Sequence, residues 1–325
     1  MANITFIIGN GLDLSLGLDT RYKDFYKHAR ENNLHPENSI YKAIHANLDT
    51  WADFEIELGK HTHHIAKLPT ADHEAASIKF HEELEEVSQD LADYLEAQDQ
   101  RADGLIGDIR FKRDNFFEEL PLGQRDKIHS LIANGTPSLS FINLNYTGTL
   151  HKIFPQRNAV ITSSGLVIRN AHHLHGTLSE NMTLGLSDES QFFSGMSTEE
   201  KNDLIKPQLI ASMNDGRMEA FEQILESGLV LVLFGTSLGE SDKYLWDRVV
   251  QWLSSHPARH IIIHAHNRKY TSQTRRTSRG QKQFTAQVQN KLLVHSAFDE
   301  AEKAKLKNRI FVIHNTKKLF AKAAE

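Results

Sequence analysis

Apolar residues along this chain fall into short dense runs separated by longer amphipathic stretches. Ile4-Thr5-Phe6-Ile7-Ile8 is β-branched and almost wholly apolar, as expected of a strand covered on both faces in a parallel sheet. Residues 139–144, 229–234, 259–264 and 309–314 repeat that pattern. Residues 160–168 predict a hairpin turned at Ser163-Ser164-Gly165, with His172 to His175 ending the returning strand or following it. From about residue 51 to 133 the spacing becomes helical: Trp51, Phe54, Ile56 and Leu58 sit among acids, and residues 80–95, 106–120 and 127–132 continue the pattern. The acidic run Glu82-Glu83-Leu84-Glu85-Glu86 reads as a solvated helix face. Apolar strands interleaved with helices predict an α/β fold, a doubly wound, mostly parallel, Rossmann-like sheet. The whole chain, 1–325, reads as one nucleotide-binding domain with a helical insertion at about 50–135.

Composition narrows the chemistry. The 325 residues include no cysteine, which removes disulfides, thiolate metal sites and a Cys nucleophile. The N-terminus lacks the pattern of a signal peptide, and the longest apolar runs are too short to span a bilayer, so a cytoplasmic location without membrane contact is expected. A net charge of −5 argues against a general nucleic-acid coat. One local exception is the basic stretch Arg268, Lys269, Arg275, Arg276, Arg279 and Lys282, in a segment that reads as a polar loop or helix end. It could grip phosphates or simply be solvated. The 19 His residues raise the question of a metal. His173 and His175 alternate along one strand, and His264 with His266 would make four imidazoles. No acidic ligand falls between the pairs, so no metal is assigned. His61, His63 and His64 are expected on an exposed helix face.

Four turns carry the candidate chemistry. Gly9-Asn10-Gly11 ends the first strand. Glycines there let backbone N–H groups approach a phosphate at a helix N-terminus, or they serve a turn that needs positive φ. The G-x-G-x-x-G pattern is incomplete, because Leu14 holds its last position. Asn143-Leu144-Asn145-Tyr146-Thr147 follows a buried strand, where Asn145 and Thr147 could orient a ribose or a water, or form an Asx turn and helix cap. His172-His173-Leu174-His175-Gly176 offers an imidazole for acid–base work. Gly235-Thr236-Ser237-Leu238-Gly239-Glu240-Ser241-Asp242 sets two hydroxyls and an acid just past a strong strand, suited to phosphate or ribose or to a helix start. No G-x-S-x-G, Walker A or H-E-x-x-H motif appears.

Taken together these turns resemble the AbiH family, bacterial proteins linked to abortive phage infection. The resemblance rests on Ile8-Gly9-Asn10-Gly11-Leu12-Asp13-Leu14, Trp51-Ala52-Asp53-Phe54-Glu55, Asn145-Tyr146-Thr147, His173-Leu174-His175-Gly176 and the 235–242 turn. It runs from the first strand to about residue 250, and Leu12 departs from the family's aromatic at that place. A more distant similarity is to sirtuin-like NAD-cleaving defence proteins, whose Leu-His-Gly and Gly-Thr-Ser settings match Leu174-His175-Gly176 and Gly235-Thr236-Ser237. The zinc module of sirtuins needs four Cys and is absent here.

These resemblances imply an NAD-cleaving, glycohydrolase-like enzyme used in phage defence. Gly9, Asn10 and Gly11 would hold the pyrophosphate, and Asn145 would position water or the ribose diol. His175 would be the base, with Glu55 a second acid–base candidate. Asp13 and Asp242 would bind ribose hydroxyls, while Thr147, Gly235, Thr236 and Ser237 would line the nucleotide. No cofactor beyond the nucleotide substrate is implied. A phage-derived activator and a homo-oligomer are the partners to consider. An RNA-directed effector and a non-catalytic nucleotide sensor stay open as alternatives.

Overall fold

The first strand, β1 (Asn3–Ile8), is the axis of the molecule, with β3 (Ser138–Asn143) on one side and β6 (Val230–Phe234) on the other. In this computed structural model, residues 3–49, 51, 53–106, 109–111, 116–133, 137–155, 160–161, 166–266, 277–316 and 319–322 are described. The seven-stranded sheet has the order β4-β5-β3-β1-β6-β7-β8, where β4 is Val160–Ile161, β5 Leu166–His173, β7 His260–Ala265 and β8 Ile310–His314. All neighbours are parallel except β4 on β5. The doubly wound sheet expected from the apolar runs is therefore present. The turn predicted at residues 163–165 lies outside the described residues.

Both faces of the sheet are buried, which explains the continuous apolar runs. Ile4, Phe6 and Ile8 face one core with Phe141, Val232 and Phe311. Ile7 faces the other, with Leu231, Leu233 and Ile263. Helices cover both faces: α1 (Gly11–Ser15), α2 (Tyr22–Glu31), α3 (Ser39–Ala46), α4 (Phe54–Thr62), α5 (His73–Ala102), α6 (Leu122–Ile132), α7 (Thr149–Ile153), α8 (Thr198–Asn202), α9 (Lys206–Ser212), α10 (Arg217–Ser227), α11 (Lys243–Ser255), α12 (Ser278–Leu293) and α13 (Glu300–Lys307).

The helical segment differs in detail from its expected bounds. It gains α2 and α3, whose Phe25, Tyr26, Ile40 and Ile44 share a core with Trp51, Phe54 and the apolar side of α5. That core also takes Leu186, Leu204 and Ile205 from far along the chain. The described residues among 106–120 form no helix. Ile109–Arg110 forms β2, paired antiparallel with β9 (Ala321–Lys322), and Phe111, Phe116 and Phe117 are driven into the sheet core. Nor is His61 on a bare face: it bonds Ser39 Oγ at 3.2 Å and packs beside Trp51 and Phe80.

The β1 turn and the β6 turn are locked together. Gly9 N–H donates to the Phe234 carbonyl at 2.9 Å and Gly11 N–H to that of Gly235 at 3.0 Å. A Cβ on Gly11 would lie 2.3 Å from the Gly235 Cα, and Gly235 itself has φ of +72°. Only bare backbone fits at this crossing. The Gly11→Ala substitution is expected to cost about 1–3 kcal/mol through overpacking, read as a lower urea midpoint with unchanged slope.

Candidate functional site

The strand order reverses at β1: the chain runs outward through β3 and β5, then returns to the other side of β1 for β6, β7 and β8. Ligands of open α/β sheets sit beyond the strand C-termini at such a point. A cavity of about 990 Å³ lies there, lined by Asn10 and Gly11 from the first turn and by Gly235, Thr236 and Ser237 from the β6 turn. Arg21, Lys23 and Lys291 add cations, and Phe234, Phe284 and Phe320 add rings. Lys291 Nζ donates to the Ser237 carbonyl at 2.6 Å, so α12 anchors this loop.

Five residues along the same loop, Asp242 enters a buried charged cluster. Lys206 Nζ donates to Asp242 Oδ1 at 2.7 Å and to Glu55 Oε2 at 2.8 Å. His175 Nε2 stands 3.6 Å from Asp242 Oδ1 and 3.3 Å from Tyr244 Oη. Each group is brought in by a local device. Asp53 caps α4 by accepting from the Ile56 N–H at 3.3 Å, while Trp51 and Phe54 anchor that end in the helical core. This turns Glu55 inward. Lys206 is held by a strand-like clip in which its N–H donates to the Leu186 carbonyl at 2.8 Å. His175 follows β5, and Gly176, with φ of +79°, lets the chain bend away beneath it; a Cβ there would meet the Asn181 carbonyl at 2.0 Å.

Burial governs the charges. It pushes the Glu55 carboxyl up to about 7, against the pull of Lys206. Burial also opposes ionisation of Asp242, but the Lys206 cation outweighs it and holds this carboxyl below its ordinary range. His175 is pressed down to about 4 by burial first and Lys206 second. Its ring is thus neutral at pH 7, and Nε2 shares a hydrogen bond with the Tyr244 hydroxyl. The cluster comprises an ionised acid, a lysine cation, a neutral imidazole and a carboxyl that titrates near neutrality. Such a set suits proton transfer.

The other expected site residues are placed differently. Asn145 Nδ2 donates to the Gly9 carbonyl at 3.2 Å, tying the β3 turn to the β1 turn. Thr147 Oγ1 donates to Asp13 Oδ2 at 2.8 Å, and both are buried away from the cavity. The Gly9 and Gly11 amides are spent on the Phe234 and Gly235 carbonyls, so the turn works as a packing junction whose Asn10–Gly11 edge fronts the cavity. His173 bonds the Asn145 main chain at 3.1 Å. His264 and His266 lie across three strands from His173, so the four imidazoles do not meet. Among the described residues no three His, Asp or Glu are grouped to hold a metal. Of the basic stretch, Arg279 and Lys282 are exposed on α12, and Arg268, Lys269, Arg275 and Arg276 lie outside the described residues. Lys206 was not singled out in the sequence. Its one local signal is a lone cation between buried Ile205 and the proline that opens α9.

Asp13 offers a separate measurement. Burial raises its carboxyl from 3.8 to about 6 despite Thr147, and its Oδ1 has no partner among the described residues. A raised acid favours folding below the unfolded value, and that benefit is lost as pH rises through 6. Between pH 4 and 7 the Asp13→Asn variant should therefore gain about 2 kcal/mol relative to wild type, seen in urea unfolding at both pH values.

A mostly parallel seven-stranded sheet flanked by helices, with a crevice at its switch point and a buried charged cluster beside it, defines an α/β protein of the Rossmann-like class. Residues 5–264 match the family described as Bacteriophage abortive infection AbiH, and the chain belongs to that family. Membership supports a role in abortive infection by phage. No curated protein matches the sequence. No helix among the described residues is long and apolar enough to cross a membrane.

Proposed function

We propose that this AbiH protein binds a dinucleotide, NAD, across the switch point and hydrolyses its nicotinamide glycosidic bond. The observation that carries the reading is the division of the site about β1. The cavity lies over the β6–β7–β8 ends, while His175 and its acids lie on the β5 side, and a single loop from Gly235 to Asp242 joins them. A mononucleotide would fill one half only. A dinucleotide would place one nucleoside in the cavity, its pyrophosphate against Asn10, Thr236, Ser237 and the cations, and its second ribose toward His175. The glycosidic C–N bond then breaks with its electron pair leaving on nicotinamide. Water adds to the ribose carbon and gives its proton to neutral His175. The imidazole is 4% exposed, with Asp242 and Tyr244 against its ring, so turnover needs the Asp242–Tyr244 side of the cluster displaced. Supplying that displacement is the role this reading gives a phage component.

The test combines calorimetric binding of NAD with chromatographic detection of nicotinamide, with and without phage lysate. NAD is expected to bind the resting protein in the micromolar range, with Ser237→Leu weakening binding about ten-fold or more by blocking the cavity rim. Absence of NAD binding in either condition would overturn the reading.

A further inference from the structure

The switch-point cavity is positively charged. The lysines, arginines and carboxylates that line it among the described residues are Arg21, Lys23 and Lys291, all basic, in a chain whose net charge is −5. A cleft lined by one sign of charge concentrates ligands of the other. The cations stand in two places. Lys291 belongs to α12, and its bond to the Ser237 carbonyl at 2.6 Å keeps it at the Thr236–Ser237 rim. Arg21 and Lys23 belong to the start of α2. Asn10 Nδ2 donates to the Thr20 carbonyl at 2.8 Å, which ties that start to the first turn. Arg21 stands 3.6 Å from Asp24 in a partly exposed pair, and such pairs exchange partners at little cost. Lys23 is exposed and forms no ion pair among the described residues.

Resting on the dinucleotide reading of this cavity, we infer that its preferred ligand is the 2′-phosphorylated form, NADP, and that Arg21 and Lys23 select it. That reading sends the nicotinamide ribose toward His175, so the adenosine ribose with its 2′-oxygen lies in the cavity. A pyrophosphate brings two negative charges to the three cations. A phosphate on the 2′-oxygen supplies the charge still missing. A dinucleotide site built for the bare diol sets a carboxylate against the 2′-hydroxyl, which repels a phosphate there, whereas a basic side chain accepts one. The guanidinium of Arg21 offers paired N–H groups that match phosphate oxygens, and Lys23 adds a point charge two residues on. Thr236, Ser237 and Lys291 are left to the pyrophosphate.

Calorimetry with NAD and NADP on wild type and on the double variant Arg21→Gln, Lys23→Gln tests this. Wild type should bind NADP about ten-fold or more tighter than NAD at low salt, the value of a hydrogen bond between charged groups. That gap should narrow as salt rises toward about 0.5 M. The double variant should lose far more affinity for NADP than for NAD, leaving the two within about three-fold of each other. Equal affinities in wild type, or a preference for NAD, would overturn the selection while leaving dinucleotide binding intact. A preference for NADP that persists in the double variant would overturn the assignment to Arg21 and Lys23. If neither ligand binds, the dinucleotide reading of the cavity fails and the selection with it. Should the variant not fold, the wild-type affinities and their salt dependence decide alone.

Discussion

Replacing Lys206 with Met is expected to destabilise the protein by about 3–5 kcal/mol, because it strands two buried carboxylates without their shared cation. Lys206 is 1% exposed, Glu55 5%, and both ion pairs are under 3 Å. The stem of methionine fills much of the lysine space, so the loss is electrostatic more than steric. For a chain of this length the cost corresponds to a melting temperature lowered by roughly 4–7 °C. The pH dependence has a definite sign. Asp242 is held below its ordinary value in the fold, so its pairing stabilises above the unfolded carboxylate range and is lost as pH falls. The difference between wild type and Lys206→Met should be largest at pH 7–8 and shrink below about pH 4. Neutralising the whole set, Glu55→Gln with Lys206→Met and Asp242→Asn, should recover most of the stability. A single Lys206→Met variant as stable as wild type at pH 7 would show that the cluster is not the electrostatic unit its distances imply.

Lys206 also marks where the sequence is silent. The strands were legible because each is a short apolar run ended by a turn residue, and two buried faces leave no polar alternation to confuse the reading. His175, Glu55 and Asp242 were legible as members of short motifs, and the fold brings those three together around Lys206. Lys206 sits in no motif, and its partners come from positions far apart in the chain. Charge compensation of this kind is a tertiary property. The Gly9-Asn10-Gly11 turn shows a second limit. Glycines that admit a phosphate and glycines that admit another backbone look identical in sequence. Here the other backbone is Gly235, and nothing near residue 11 announces it. The absence of helix at the described residues of 106–120 has a similar cause: Phe111, Phe116 and Phe117 find a sheet to cover, and tertiary burial overrides local propensity.

If the proposed hydrolysis holds, His175→Ala should lower nicotinamide release by about 10²–10⁴-fold while leaving NAD affinity within a few-fold of wild type, since a general base acts on the chemical step and not on ground-state binding. The imidazole is pressed down to about 4, so it is already a free base at pH 5 and imposes no rate limb near neutrality. Glu55 is raised to about 7, and it does impose one. The oxocarbenium-like ribose is cationic, so an ionised carboxylate stabilises it and a protonated one does not. The rate should therefore climb as pH rises through 7 and level off above it. Glu55→Gln should slow the reaction and flatten that limb, whereas His175→Gln should slow it and keep the limb. The two carboxyl and imidazole roles thus separate by the shape of a pH profile rather than by the size of a loss, which a merely misfolded variant could also produce. A neutral limb that survives in Glu55→Gln would remove Glu55 from the chemistry, and full cleavage by His175→Ala would remove the imidazole.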